Sequence, residues 1–158
     1  MAYRIAYCKI NFPLAYYGAY FGIRADAFSY EIMCQGKENL KRYIDDYNRR
    51  SDALSKKEQD TMKDMRLVQE MYARGYEFEP MDIYQAKASK FLIVNGKLMP
   101  PLVSIEGMGD KAAKDGQYLS LDDFRQRTKA SKSVIDYMVK LGILKGLPES
   151  NQLSLFDL

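Results

Sequence analysis

The 158-residue chain contains no histidine, no tryptophan and only two cysteines. Without histidine there is no Ser-His-Asp or Cys-His nucleophilic machinery, and most zinc sites lose their usual nitrogen ligand. A general base would have to be a carboxylate or a lysine. Cys8 and Cys34 are too far apart in sequence to form a metal-binding pair, and they read as reduced, buried thiols of a cytoplasmic protein. No Walker loop, GxGxxG or HExxH is present. Long apolar runs are lacking too: the uncharged stretch Ile10–Ile23 is too short to span a bilayer and reads as a buried helix. Arg4 and Lys9 interrupt the N-terminus where a signal peptide needs an apolar core. No membrane partner is expected.

What remains is globular in character, with 47% hydrophobic and 28% charged residues. The net charge of +3 permits a polyanionic partner without requiring one. Asp45-Asp46, Asp60 with Asp64, and Asp122-Asp123 are the only paired carboxylates worth weighing for metal or acid–base chemistry. All lie on helix faces rich in Lys and Arg, and none has a third ligand at suitable spacing, so no catalytic or metal site is expected.

The pattern predicts a mainly α fold with a small β-hairpin. Pro13 suits the first turn of a helix running to about Ile23, apolar nearly all round, with Tyr16, Tyr20 and Phe21 exposed enough to drive dimerisation. A short helix over Asp26–Met33 is broken by Gly36 and followed by an amphipathic helix over Lys37–Arg49. Ser55 and Glu58 form a capping box for a methionine-striped helix reaching Arg74 and closed by Gly75. Asn95-Gly96 between Phe91–Val94 and Lys97–Met99 marks a type I′ hairpin. Ser120 with Asp123 caps a helix to about Arg127, and Ser131 or Ser133 opens another to Leu141, closed by Gly142. The stretch from Lys145 to Leu158 reads as mobile.

Two stretches suit nucleic-acid backbone. In Ile105–Lys114, a glycine-hydrophobe-glycine turn runs straight into a helix, as in a helix-hairpin-helix element. Gly107 and Gly109 let the backbone approach closely, Met108 anchors the turn beneath, and the N–H groups around Asp110 face outward toward a phosphate. Lys111 and Lys114 add Coulombic attraction and salt dependence. An ordinary glycine turn explains the same residues about as well. The second stretch, Thr128–Ser133, sits where a degenerate second hairpin would pair with the first, and Lys129, Ser131 and Lys132 are its candidate contacts. A solvated charged face is the alternative there.

The end of the chain poses a different question, because Leu153, Leu155, Phe156 and Leu158 load a terminus with large apolar groups. In extended form, Gln152-Leu153-Ser154-Leu155-Phe156 can place its apolar side chains in pockets while Gln152 bonds at the rim. Folding back on the chain's own domain is the competing use.

Together these segments resemble the C-terminal end of the PolC-type replicative DNA polymerase III alpha subunit. The likeness is carried by Arg4–Lys9, Pro13–Tyr17 and Ala19–Phe21, by Phe91–Ile93, Gly96–Leu98 and Pro100–Leu102, and by Gly107-Met108-Gly109, Leu119-Ser120 and Gly146–Phe156. The resemblance implies a remnant of the polymerase fingers over 1–35, with Arg4 and Lys9 facing nucleotide or template. It implies a duplex-DNA-binding region over 36–145, with helix-hairpin-helix elements near 105–114 and 120–141. It also implies a flexible tail over 146–158, in which Gln152–Phe156 bind the β sliding clamp. Duplex DNA, the clamp, and the remainder of the polymerase and replisome are the implied partners, at the nucleoid in the cytoplasm. The family's palm aspartates, which hold catalytic Mg2+, have no counterpart here, so no nucleotidyl transfer is expected of this chain alone. Only Asp110–Lys114 precede Asp115-Gly116, about two turns fewer than the family pattern has after the first hairpin. Either a deletion that cripples the first hairpin or missing residues would account for it, and the second is favoured because Ala113-Lys114-Asp115-Gly116 resembles the end of such a helix. Asp157 and Leu158 extend beyond the usual ending. A reading of another class is an adaptor that docks only through the tail.

Overall fold

The computed structural model describes residues 2–25, 27–109 and 118–150. In chain order it contains helices α1 (Ala2–Asn11), α2 (Pro13–Ile23), α3 (Tyr30–Met33), α4 (Lys37–Arg49) and α5 (Lys56–Ala73). Strands β1 (Leu92–Val94) and β2 (Lys97–Met99) follow, then helices α6 (Leu121–Thr128) and α7 (Lys132–Lys140). The expected class, mainly α with one small hairpin, holds.

Local chemistry sets several boundaries. Pro13 occupies the first turn of α2. At α5 the Ser55 N–H donates to the Glu58 carboxylate at 2.8 Å and the Glu58 N–H returns to Ser55 Oγ at 3.3 Å, which closes the capping box. Gly75 ends that helix with φ of +85°. In the hairpin, Asn95 and Gly96 take φ of 52° and 72°, as a type I′ turn requires, and Leu92 faces Met99 across the ladder.

The hairpin is a wall between two cores. Successive strand residues point to opposite faces, and the neighbours Leu98 and Met99, each 1% exposed, fall in different clusters. Leu98 joins Tyr17, Phe21, Leu40, Met65 and Met71 from α2, α4 and α5. Phe21, Phe28, Phe78 and Phe91 meet there with ring centroids 5.1–6.1 Å apart. Met99 joins Ile105, Met108, Phe124, Val134, Ile135 and Met138 around α6 and α7.

Four expectations are corrected. The buried helix expected over Ile10–Ile23 has Ile10 and Ile23 exposed, and Ile10 belongs to a separate helix, α1, which buries none of its side chains, so Cys8 is exposed rather than buried. Phe21 is buried, and Tyr16 and Tyr20 are half-buried, because Phe21 packs against Phe28, Phe78 and Phe91 while Tyr17 reaches Glu70 on α5. The short helix starts at Tyr30 rather than Asp26, since Phe28 leaves helical geometry to enter the aromatic cluster and Ser29 is extended. The stretch from Lys145 to Ser150 is pinned, as the Leu121 N–H donates to the Pro148 carbonyl at 2.9 Å and the Asp122 N–H to that of Glu149 at 3.2 Å.

Candidate nucleic-acid interface

The first hairpin grows out of a 3-10 turn at Leu102–Ser104. The Met108 N–H returns to the Ile105 carbonyl at 3.0 Å, and Gly107 between them takes φ of +84°. Met108 is buried in the second core, as a hairpin anchor should be. Only one of the two glycines has the left-handed conformation: Gly109 does not, and the space where its Cβ would stand is open. Asp110, Lys111 and Lys114 lie outside the described residues, as does the question of a shortened helix after them.

The second hairpin joins α6 to α7. Ser120, fully buried, accepts from the Asp123 N–H at 3.1 Å, and the Asp123 carboxylate accepts from the Leu119 N–H at 3.0 Å. Arg127 lies 3.7 Å from that carboxylate and over the Tyr118 ring at 4.8 Å, so Asp123 has a structural role. At the turn, Thr128 Oγ1 donates to the Phe124 carbonyl at 2.7 Å and accepts from the Ala130 N–H at 3.3 Å. Lys129 adopts φ of 52°, a conformation usually left to glycine, with its side chain exposed. Ser131, rather than Ser133, caps α7 by accepting from the Val134 N–H at 3.4 Å.

The structure brings the two hairpins together. A Cβ placed on Gly107 would lie 2.7 Å from Val134 Cγ2, so the first turn rests against the first turn of α7. Around that contact, Lys129, Ser131, Lys132 and Gly109 are exposed. The start of α6 differs: its Leu121, Asp122 and Asp123 N–H groups are satisfied by Pro148, Glu149 and Ser120. An anion meeting this region would therefore find donors at α7 and not at α6.

Elsewhere, Lys9 pairs with Glu70 at 2.6 Å, so its ammonium is engaged on α5, whereas Arg4 is exposed on α1. Gln152, Leu153, Ser154, Leu155 and Phe156 lie outside the described residues. Among the described residues no cluster of three His, Cys, Asp or Glu could hold a metal ion. Sequence reasoning missed the Pro148–Leu121 strap, for which Pro148 alone was a signal, and the exposed face of α1.

Two short helices around a tight, serine-capped turn, packed beside a glycine turn, define a helix-hairpin-helix protein. The chain belongs to that family: the family described as "Helix-hairpin-helix motif" matches residues 75–153. Along 99% of its length it is also similar to proteins named DNA polymerase III PolC-type, so the resemblance seen in the sequence holds. Identity is 44% to the protein of Caldanaerobacter subterraneus subsp. tengcongensis, 41% to that of Clostridium perfringens and 39% to that of Bacillus subtilis. The chain spans only 12%, 11% and 11% of those proteins respectively. Each alignment runs over 163 residues against 158 here, a difference of five, so the relatives carry at least five residues with no counterpart in this chain. No helix among the described residues is long and apolar enough to cross a membrane.

Proposed function

We propose that this chain is the duplex-holding and clamp-tethering part of a PolC-type replicative polymerase, acting at the nucleoid in the cytoplasm with the rest of that enzyme and the replisome. The observation that carries this reading is the packing of the Gly107 turn against the N-terminal turn of α7. Gly109, Lys129, Ser131 and Lys132 are all exposed in the two turns that meet there, which supports reading them as one exposed ridge. Backbone N–H groups and lysines there would hold phosphates without reading bases, and Lys111 and Lys114, which follow Gly109 in the sequence, would add positive charge. The strap holds the chain at Pro148 and Glu149, and Gln152–Phe156 follow three residues later in the sequence. Catalytic Mg2+ would be held by the palm of the complete polymerase, which has no counterpart here.

Fluorescence anisotropy of a labelled duplex across a salt series tests the DNA half. Affinity should fall linearly on a log–log plot and should not depend on base sequence; Lys129→Gln/Lys132→Gln should lower the slope by about two. Calorimetry with the β clamp tests the other half. Micromolar binding should disappear in a Gln152→Ala/Leu155→Ala/Phe156→Ala variant. Clamp binding without any duplex affinity would favour the docking adaptor instead.

A further inference from the structure

The α1–α2 pair carries a second surface that the hairpin ridge does not use. A groove of about 590 Å³ is lined by Ile5, Cys8, Phe12, Ala19, Tyr20 and Ile23, among others. Ile23 is 78% exposed and Phe12 58%, and they lie beside Ile5 at 49%, so the apolar wall is contiguous rather than scattered. A ten-residue helix with no buried side chain is marginal by itself. Beyond its packing on α2, α1 is held by the Lys9–Glu70 pair and by an Arg74 guanidinium that donates to the Lys9 carbonyl at 2.9 Å.

The charge on the groove selects its occupant. Arg4 and Arg24 line it, and no acidic side chain does among the described residues. A second copy seated face to face would bring these arginines toward their own images, which opposes self-association. We propose that the groove seats an amphipathic helix of the polymerase outside this chain, apolar along one stripe and edged with carboxylates that meet Arg4 and Arg24. Only the source of that helix rests on the polymerase reading; the groove chemistry does not.

The test uses the full chain and two synthetic helical peptides that share a leucine stripe, one edged with Glu and the other with Lys. Peptide anisotropy gives the affinity, and the alkylation rate of Cys8, an exposed thiol within the groove, reports occupancy. Burial pushes the Cys34 thiol well above its usual range, which slows its reaction with the reagent. The Glu-edged peptide should bind at least about tenfold tighter than its twin and slow alkylation. Arg4→Gln/Arg24→Gln should erase the difference between the two peptides. Ile5→Gln/Ile23→Gln, at exposed positions, should abolish binding of both peptides while duplex affinity is unchanged. Equal binding of both peptides, an unprotected Cys8, or a dimer of the chain that itself protects Cys8 would each overturn the proposal. Loss of duplex affinity with the groove intact would count instead against the hairpin reading.

Discussion

Gly107 and Val134 stand so close that a single added methyl group would intrude between them: a Cβ at Gly107 would come within 2.7 Å of Val134 Cγ2. The contact joins two turns that are distant in sequence and sets the exposed ridge on which the functional reading depends. Gly107 also has φ of +84°, which an L side chain adopts only under strain. Backbone and packing therefore require glycine for separate reasons.

The two causes can be separated. Gly107→Ala should destabilise the chain by about 2–3 kcal/mol, the sum of left-handed strain and overpacking. In a Val134→Ala background the same change should cost only the strain, about 1–2 kcal/mol. Urea denaturation of the four variants in the cycle measures both. A cost that does not depend on residue 134 would mean that the turn does not rest on α7.

Lys129 presents the opposite case, a bulky residue kept in a conformation that suits glycine. Lys129→Gly should raise stability by about 0.5–1 kcal/mol. If the exposed ammonium meets a phosphate, the same variant should bind duplex more weakly, with a salt slope smaller by about one. Stability and affinity would then move in opposite directions. Thermal melts and a salt titration of one protein preparation decide this. An unchanged slope would remove Lys129 from the interface.

The sequence disclosed what is decided locally. Asn95-Gly96 fixes its own turn, and Ser55 with Glu58, Ser120 with Asp123, and Ser131 each declare a helix start through a bond to a nearby backbone N–H. What escaped it depends on distant partners. The assignment of Leu98 and Met99 to different cores needs all the helices in place. The burial of Phe21 depends on Phe28, Phe78 and Phe91, and the pinning of Pro148 depends on where α6 starts. Helix α1 was missed for another reason: its apolar residues divide between two faces, Tyr3, Tyr7 and Ile10 on one and Ile5 with Cys8 on another, so no single stripe marks it. The ridge was half legible, since its residue types were recognisable while the contact that aligns the turns was not.

Among the described residues the buried Tyr137 hydroxyl makes no hydrogen bond of ordinary geometry, although the Glu31 carboxylate is near enough to act on it. Burial first, then the nearby Glu31 and Tyr43, push its phenol up to about 12. A buried donor without an acceptor costs free energy that phenylalanine does not incur. Tyr137→Phe should accordingly be neutral or stabilising by up to about 1 kcal/mol. A loss of more than about 1 kcal/mol in denaturant titration would reveal a partner for the hydroxyl.

Acid should loosen the N-terminal helix before it unfolds the cores. Glu70 accepts from the Tyr17 hydroxyl at 2.7 Å and pairs with Lys9, and Arg74 donates to the same Tyr17 hydroxyl at 3.0 Å. The Lys9 hydrogen bond, helped by those from Tyr17 and by Arg74, holds the Glu70 carboxyl below its ordinary 4.5 against the opposing effect of burial. A depressed carboxyl stabilises the fold fully above its unfolded value, and that contribution is lost as pH falls through the lower folded value. Protonation would therefore release Lys9, a tie between α1 and α5. Because the pair is partly solvent-exposed, salt should reduce the effect. The protection of α1 amides against hydrogen exchange, taken relative to the intrinsic rate at each pH, should fall between about pH 5 and about pH 3 while that of α5 stays high. Glu70→Gln should show the lower α1 protection already near neutral pH and lose most of its dependence on acid. If protection in α1 and α5 falls together, the helix is held by packing on α2 and the polar tie is secondary.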